Sequence, residues 1–416
     1  MTSRERIRAA IRHKEPDRVP IDIGGTKVTG IHVDEYIKIG RYLGLDVEPP
    51  KCYDQFQMLA RVDEPVLRWL HGDVIQLENL YETWGYKNAD WKIWVNTAGN
   101  SILMPGDFTY SVNEKGDIAL YDINGIHSAN MAADGGYFER LPNPPLDIMK
   151  DIVFMDGKKF RRSIPMYSDE ELRLLEKQAK FLFENTEYSV HGGALKGKLG
   201  TTGIFAGHPF TEWLCILAEE PEYAGEILGI AAEAAVENMC MYLQAVGPYI
   251  DTILISTTDF GTQNGELFSP SIFKDLYMPN YKKMCDCVHH HSDAKTMFHS
   301  CGSIRHIIPY FIEAGCDILN PIQANSMNMD PVELKKEFGD KLVFWGAGVD
   351  SQSIYPHGKP EEVREQVKQR LEALMPRGGC VFSPIHNTQY DVPVENVQAF
   401  VDTVWEFGRY SAQGVL

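Results

Sequence analysis

The chain has 416 residues, 44% of them hydrophobic and 24% charged, the balance of a globular protein with ample length to bury a large core. A formal net charge of −18 argues against a nucleic-acid footprint, which needs a basic face, and against docking on anionic lipid. No apolar run reaches the ~20 residues of a membrane span. The start, Met1-Thr2-Ser3-Arg4-Glu5-Arg6, lacks the apolar stretch of a secretory signal, and the eight cysteines are scattered, so they read as reduced thiols or ligands in a cytoplasmic protein.

In chain order, an amphipathic helix is predicted over residues 3–13, then a turn at Glu15-Pro16-Asp17 and a strand over 19–23 that ends at Gly24-Gly25-Thr26. From about Trp84 to Gly125 the pattern changes to short β-type runs (91–95, 101–104, 108–112, 118–121) separated by turn residues. They predict an antiparallel meander inserted into a larger fold, a candidate lid or substrate pocket, with Pro142, Pro144 and Pro145 closing the segment. Helices are then expected over 169–187, 222–245, 270–291, 304–314, 360–374 and 394–407. They alternate with apolar strands over 251–256, 296–300, 317–322, 342–346 and 380–383. Short apolar strands separated by helices mean a parallel sheet covered on both faces. Without a dinucleotide-type glycine fingerprint at the first turn, the pattern predicts an α/β fold, a single (β/α)8 TIM barrel spanning 1–416; an open doubly wound sheet is the second choice.

In a barrel the chemistry sits where strands end and loops toward the helices begin. The strand at 296–300 leads into His299-Ser300-Cys301-Gly302-Ser303. A period of two puts His299 and Cys301 on one side, and one imidazole with one thiolate suits zinc above other divalent metals. Ser303 is predicted to cap the following helix, whose N-terminus would favour a thiolate at Cys301. Other strand exits carry Asp259 and Gln263, Asn320 and Gln323, Asp350, and His386-Asn387 with Tyr390. His386 is the candidate third ligand, because closure brings the last strand back toward the first. Its competitor Cys380 lies at the strand's entry, ~20 Å from the exit. Asp259 could instead bond loop amides, and Asp350 followed by Ser351 also reads as a helix cap. Cys285-Asp286-Cys287-Val288-His289-His290-His291 is denser in ligand types. It falls at a helix C-terminus, whose dipole attracts histidines, at the end of the barrel away from the chemistry, so it reads as structural.

Taken together, Asp17-Arg18-Val19-Pro20, Asp259-x-Gly261-x-Gln263 before Ser269-Pro270, His299-x-Cys301-Gly302 and Pro393-x-Glu395-Asn396 resemble the uroporphyrinogen decarboxylase superfamily, most closely its corrinoid-linked methyltransferase branch. The resemblance implies a (β/α)8 barrel and zinc on His299 and Cys301. It also implies methyl transfer to or from cobalamin carried by a separate corrinoid protein. Where thiol-methylating members carry a cysteine as third ligand, this chain has Pro384-Ile385-His386, so His386 takes that role. The Arg-Gln-Ala-Gly-Arg type motif of the porphyrinogen decarboxylases is replaced by Ile23-Gly24-Gly25-Thr26, which counts against porphyrin decarboxylation. The expectation is a zinc-dependent methyltransferase with a small methyl donor (a methyl ether, as in an O-demethylase, or a methylamine-type compound) or a thiol acceptor. Asp259 and Gln263 are expected as catalytic residues, Gln323, Asp350, Asn387 and Tyr390 as substrate-binding ones. A metal-free carboxy-lyase and a non-catalytic binding barrel are the alternatives.

Overall fold

The computed structural model describes residues 1–45, 48–141, 152–193, 195–201 and 203–410; Pro142, Pro144 and Pro145 lie outside the described residues. Seven strands form one wholly parallel sheet: β1 (Val74–Leu77), β2 (Ser189–Gly192), β3 (Thr252–Thr257), β4 (Lys295–His299), β5 (Ile318–Asn320), β6 (Val343–Trp345) and β7 (Cys380–Val381). Their spatial order is their chain order, as successive βα units require. The predicted first strand is an extended segment whose single bridge pairs Ile21 with Phe382. It fills the eighth position: Phe382 N–H donates to Pro20 O and Asp22 N–H to Phe382 O, both at 2.8 Å. On its other edge Asp73 N–H donates to Ile21 O at 2.8 Å, just before β1. The sheet therefore curls into an α/β TIM-type barrel, with the helices packed outside it.

Side chains sort by the two-residue period. Leu254, Met297, Ile318 and Val343 are mutual register partners on neighbouring strands, and all are buried in the barrel interior. Ile7 and Ala10 of the N-terminal helix (Ser3–Ala10), with its C-cap Ile11, plug the bottom of that interior. The alternate residues Phe298, Leu319 and Phe344 join the core between sheet and helices. Two residues beyond Met297 and Ile318, His299 and Asn320 again pair in register and so face inward, at the mouth.

The Asp17-Arg18 motif serves closure. Asp73, fully buried, accepts Ile21 N–H at 2.9 Å and is paired with Arg18 (2.8 Å) and Arg6 (2.6 Å); Arg6 also holds Asp17 at 2.7 Å. This ties the first helix, the closing segment and β1 into one charged knot.

The inserted β structure comprises two sheets. One pairs Lys92–Val95 with Ser101–Met104; the other has four strands (Thr109–Val112, Ile118–Tyr121, His127–Met131, Glu139–Arg140) and so continues past residue 125. It is anchored on the barrel by His32, which shares a hydrogen bond with Gly136 O (3.0 Å) and packs its ring edge on Tyr137 and Tyr390. The helix expected over 270–291 is present with one departure: residues Phe273–Tyr277 form a π-type turn between Pro270–Ile272 and Met278–His291. The stack Phe273, Tyr277 and Tyr281 runs through it and packs against Phe260 and Phe298. No helix among the described residues is long and apolar enough to cross a membrane.

Replacing Asp73 with Ala would leave two guanidinium groups buried without their shared partner. The expected loss is ~3–5 kcal/mol of unfolding free energy, read from chemical denaturation; a loss under ~1 kcal/mol would show that the knot is not what closes the barrel.

Candidate metal centre

His299, Cys301 and His386 come together at the mouth, with one ligand atom from each lying within 4.8 Å of the other two. His299 Nε2 and Cys301 Sγ are 3.6 Å apart. Two ligands of one tetrahedral zinc, at ~2.0 Å for nitrogen and ~2.3 Å for sulfur, would be separated by ~3.6 Å, so the pair already has the spacing of a shared cation. The His299 and His386 ring centroids lie 5.6 Å apart, edge to face. Cys380 is remote from this group: it is fully buried, with its Sγ 3.8 Å from Tyr410 Oη.

The hydrogen bonds around His299 decide its tautomer. Asn320 Nδ2 donates to Trp345 O at 3.0 Å, which turns Asn320 Oδ1 toward the imidazole. Oδ1 can only accept, so His299 Nδ1 carries the proton and donates at 2.6 Å, leaving the Nε2 lone pair free. Burial, and next the nearby His299, press the His386 imidazole down to about 4, so it is neutral at physiological pH and available as a donor. Burial, with the Asp259 carboxylate behind it, pushes the Cys301 thiol well above its ordinary value. A bound divalent cation reverses that preference and ionises the sulfur.

The backbone of the Cys301 turn is clamped. Cys301 N–H donates to Asp259 Oδ1 at 2.7 Å, Gly302 N–H to Gln323 Oε1 at 2.7 Å, and Ser303 N–H to Thr262 O at 2.7 Å. Gly302 has φ +90°, and a Cβ there would stand 2.4 Å from the carbonyl carbon of Gly261, so only glycine fits. The predicted cap is absent: the helix starts at Ile308, with Ile307 as N-cap, because residues 304–307 are spent on a separate turn. Cys301 therefore takes no help from a helix N-terminus; its orientation comes from Asp259 and Gly302.

The remaining predicted residues divide by position. Asp259 Oδ1 is 3.9 Å from His299 Nε2, at the centre itself. Gln263 accepts from Gln323 (3.1 Å) and Ser326 (2.6 Å) and donates to Gln352 (2.5 Å), so it joins loops beside the centre. Asp350 accepts from Gln352 N–H, Ser353 Oγ and Asn325, the turn-capping pattern. Asn387 bridges Gly30 N–H (2.7 Å) and Gln57 (2.7 Å), linking the closing segment's loop to the β7 exit. Tyr390 lines a cavity of about 710 Å³ under the four-stranded inserted sheet. Asn320, read only as a strand-exit residue, emerges as the group that orients His299; its signal was its pairing position beside His299.

A second group, Cys240, Cys287 and His291, also lies within 4.8 Å, at the bottom face beside Arg8 and Arg12. Cys287 and His291 share a helix face, as their spacing predicts; Cys240 comes from the neighbouring helix Pro221–Val246 at 3.2 Å, sulfur to sulfur. Cys285 is buried, and its partner in spacing, His289, pairs with Asp317 at 2.7 Å instead.

Residues 204–407 match the uroporphyrinogen decarboxylase (URO-D) family model. Uroporphyrinogen decarboxylases from Aliivibrio salmonicida (23% identical over 275 residues, 61% of this chain and 72% of that one) and Pseudoalteromonas atlantica (27% over 192 residues, 45% and 50%) are similar in sequence. A methyltransferase from Methanosarcina mazei shares the fold at a TM-score of 0.58, with 16% identity over 98% of this chain and 99% of that one. Together these likenesses support a place for the chain in the uroporphyrinogen decarboxylase superfamily, the sequence match covering its C-terminal part and the fold match nearly all of it.

Asn320→Ala should leave the fold intact but weaken zinc binding by ~10–100-fold, as loss of a ligand-orienting partner does; unchanged affinity in a chelator competition would remove Asn320 from the centre. Because Cys301 must ionise while His386 is already neutral, zinc uptake should release ~1 proton and strengthen about ten-fold per pH unit between pH 6 and 8. Calorimetry in buffers of different ionisation enthalpy checks this, and a flat pH dependence contradicts it.

Proposed function

We propose that the protein is a zinc-dependent methyltransferase that moves a methyl group between a small substrate and a corrinoid carried by a separate protein. The observation that supports this most directly is the convergence of two imidazoles and one thiol on a single point at the barrel mouth. Three protein ligands suit zinc with its fourth position left to substrate, the pattern of catalytic rather than structural zinc. Zinc there would act as a Lewis acid on the substrate heteroatom, turning an ether oxygen into a better leaving group or a thiol into a better nucleophile.

The chain's own residues hold the donors and shape the approach. Asn320 and Trp345 O fix the His299 ring. Asp259 holds the Cys301 amide and presents its carboxylate, half exposed, toward the mouth, where it can take or give a proton at the substrate heteroatom. Gln323 and Gln263 hold the adjoining loops. The broad end of the barrel is the face on which a corrinoid protein would dock.

Purified protein should carry about one equivalent of zinc at this site; Cys301→Ala and His386→Ala should each lose it. Methylation of added corrinoid protein should fall at least ~10³-fold in either variant, since ΔΔG‡ of ~4 kcal/mol corresponds to that ratio. Zinc content unaffected by both substitutions would defeat the proposal, and carbon dioxide release without corrinoid would favour a carboxy-lyase.

A further inference from the structure

The run of residues 285–291, dense in sulfur and imidazole, takes no part in the chemistry at the barrel mouth. Its helix, Met278–His291, ends just before β4 begins. β4 then climbs ~13 Å from Lys295 to His299, so the helix end and the mouth stand at opposite ends of one strand. Cys287 and His291 are one helical turn apart and share a face. The neighbouring helix Pro221–Val246 packs on that face and brings Cys240 to it. One ligand atom from each of the three lies within 4.8 Å of the other two.

Cys240 Sγ is 3.2 Å from Cys287 Sγ, and Cys287 Sγ is 3.8 Å from His291 Nδ1. On one tetrahedral zinc, at ~2.3 Å to sulfur and ~2.0 Å to nitrogen, two sulfurs stand ~3.8 Å apart and a sulfur and a nitrogen ~3.6 Å. The sulfurs would have to part by ~0.6 Å, which a small change of χ1 at the half-buried Cys240 covers. Among the described residues the polar contacts of these two side-chain sulfurs are with each other and with His291. Burial, and next Cys240, push the Cys287 thiol up, so the pair is protonated and slow toward oxidants until a cation draws the protons off. His291 Nδ1 donates to Cys287 O at 2.8 Å, since a carbonyl can only accept. The ring is exposed at the helix end. It can turn to offer Nε2 with that bond kept, the usual arrangement of zinc-binding histidines, or offer Nδ1 with the bond given up.

We propose that Cys240, Cys287 and His291 form a second metal site, for a soft divalent cation such as zinc, that clasps the two helices at the bottom of the barrel. Two thiolates and one imidazole are the donor set that such an ion prefers. Its fourth position is left to water on the exposed side of His291. Ligands drawn from two helices make a cross-link, and a cation that binds only the folded chain stabilises it. The site rests neither on the methyl-transfer reading nor on the centre at the mouth.

The experiment uses the full chain carrying Cys301→Ala and His386→Ala, which removes the donors at the mouth, reduced with a phosphine and stripped with a chelator. It should bind about one equivalent of zinc. Cobalt(II) in its place should give the near-ultraviolet sulfur-to-metal absorption of a thiolate-bound ion. Adding Cys240→Ser or Cys287→Ser should abolish both the absorption and the stoichiometric uptake. Adding His291→Ala should weaken binding at least ~10-fold while the sulfur absorption persists. Zinc should raise the thermal midpoint by at least ~2 °C, a gain absent once Cys287→Ser is added. No uptake, uptake retained with Cys240→Ser, bound cobalt without the sulfur absorption, or binding with no thermal gain overturns the proposal. A chain that binds no metal but closes a disulfide between Cys240 and Cys287 in air holds a redox pair and not a metal site. If the double variant does not fold, the wild type should take up about two equivalents and Cys287→Ser about one; equal uptake by the two overturns the proposal. Because the mouth donors are missing from the protein tested, failure here leaves the centre of His299, Cys301 and His386 standing.

Discussion

Closure of the barrel is the constraint on which the centre depends. His299 and Cys301 are neighbours in sequence, but His386 is 87 positions from His299, at the exit of the last strand. It reaches them because the segment 19–22 bonds to Phe382 on one edge and to Asp73 on the other, drawing β7 and β1 around one axis. The free energy that secures this seam is electrostatic as well as apolar. Asp73 is wholly buried between two arginines and would be very costly there alone, so the three charges are stable only as a set. The same seam is tied to the centre from within: Asp22 accepts the Trp345 indole N–H at 2.8 Å, and Trp345 O accepts from Asn320, which holds His299.

Gathering three donors in a buried pocket is unfavourable until something positive joins them. Burial and mutual proximity hold His386 neutral and Cys301 protonated, and the clamped Gly302 turn prevents the donors from relaxing apart. Preorganisation of this kind shifts the cost of assembling a metal site from the binding step to the folding step. It also explains why loop side chains near the mouth, Gln263 and Gln323 among them, spend their polar atoms on other loops.

Architecture was legible wherever local pattern and tertiary demand coincide. The helices Pro360–Leu374 and Val394–Phe407 and the inserted strands Ser101–Met104 and Ile118–Tyr121 have the bounds read from periodicity and turn residues. The first strand was legible as an apolar run, but its pairing partners lie at residues 73 and 382, beyond any local signal. The supposed cap at Ser303 failed because the chain needs a turn there to bring Gly302 against Gly261, a demand set by a neighbouring loop. The inserted sheet runs on past Gly125 because His127–Met131 carries a weak alternation broken by His, Ser and Asn. Among candidate site residues, strand-exit position pointed to His386.

The π-type turn at Phe273–Tyr277 carries a consequence of its own. Such a turn is a helix holding one residue more than regular winding admits, so it sets the angular phase of everything after it by about 100°. In this chain that phase aligns Tyr277 and Tyr281 with Phe260, the neighbour of Asp259, and with Phe298, the neighbour of His299. Among descendants of a common ancestor, gaining or losing a single codon in this helix would thus not act as a neutral length change. It would rotate the aromatic backing away from both loops at once, and selection at the barrel mouth would be felt as selection on the reading length of this helix.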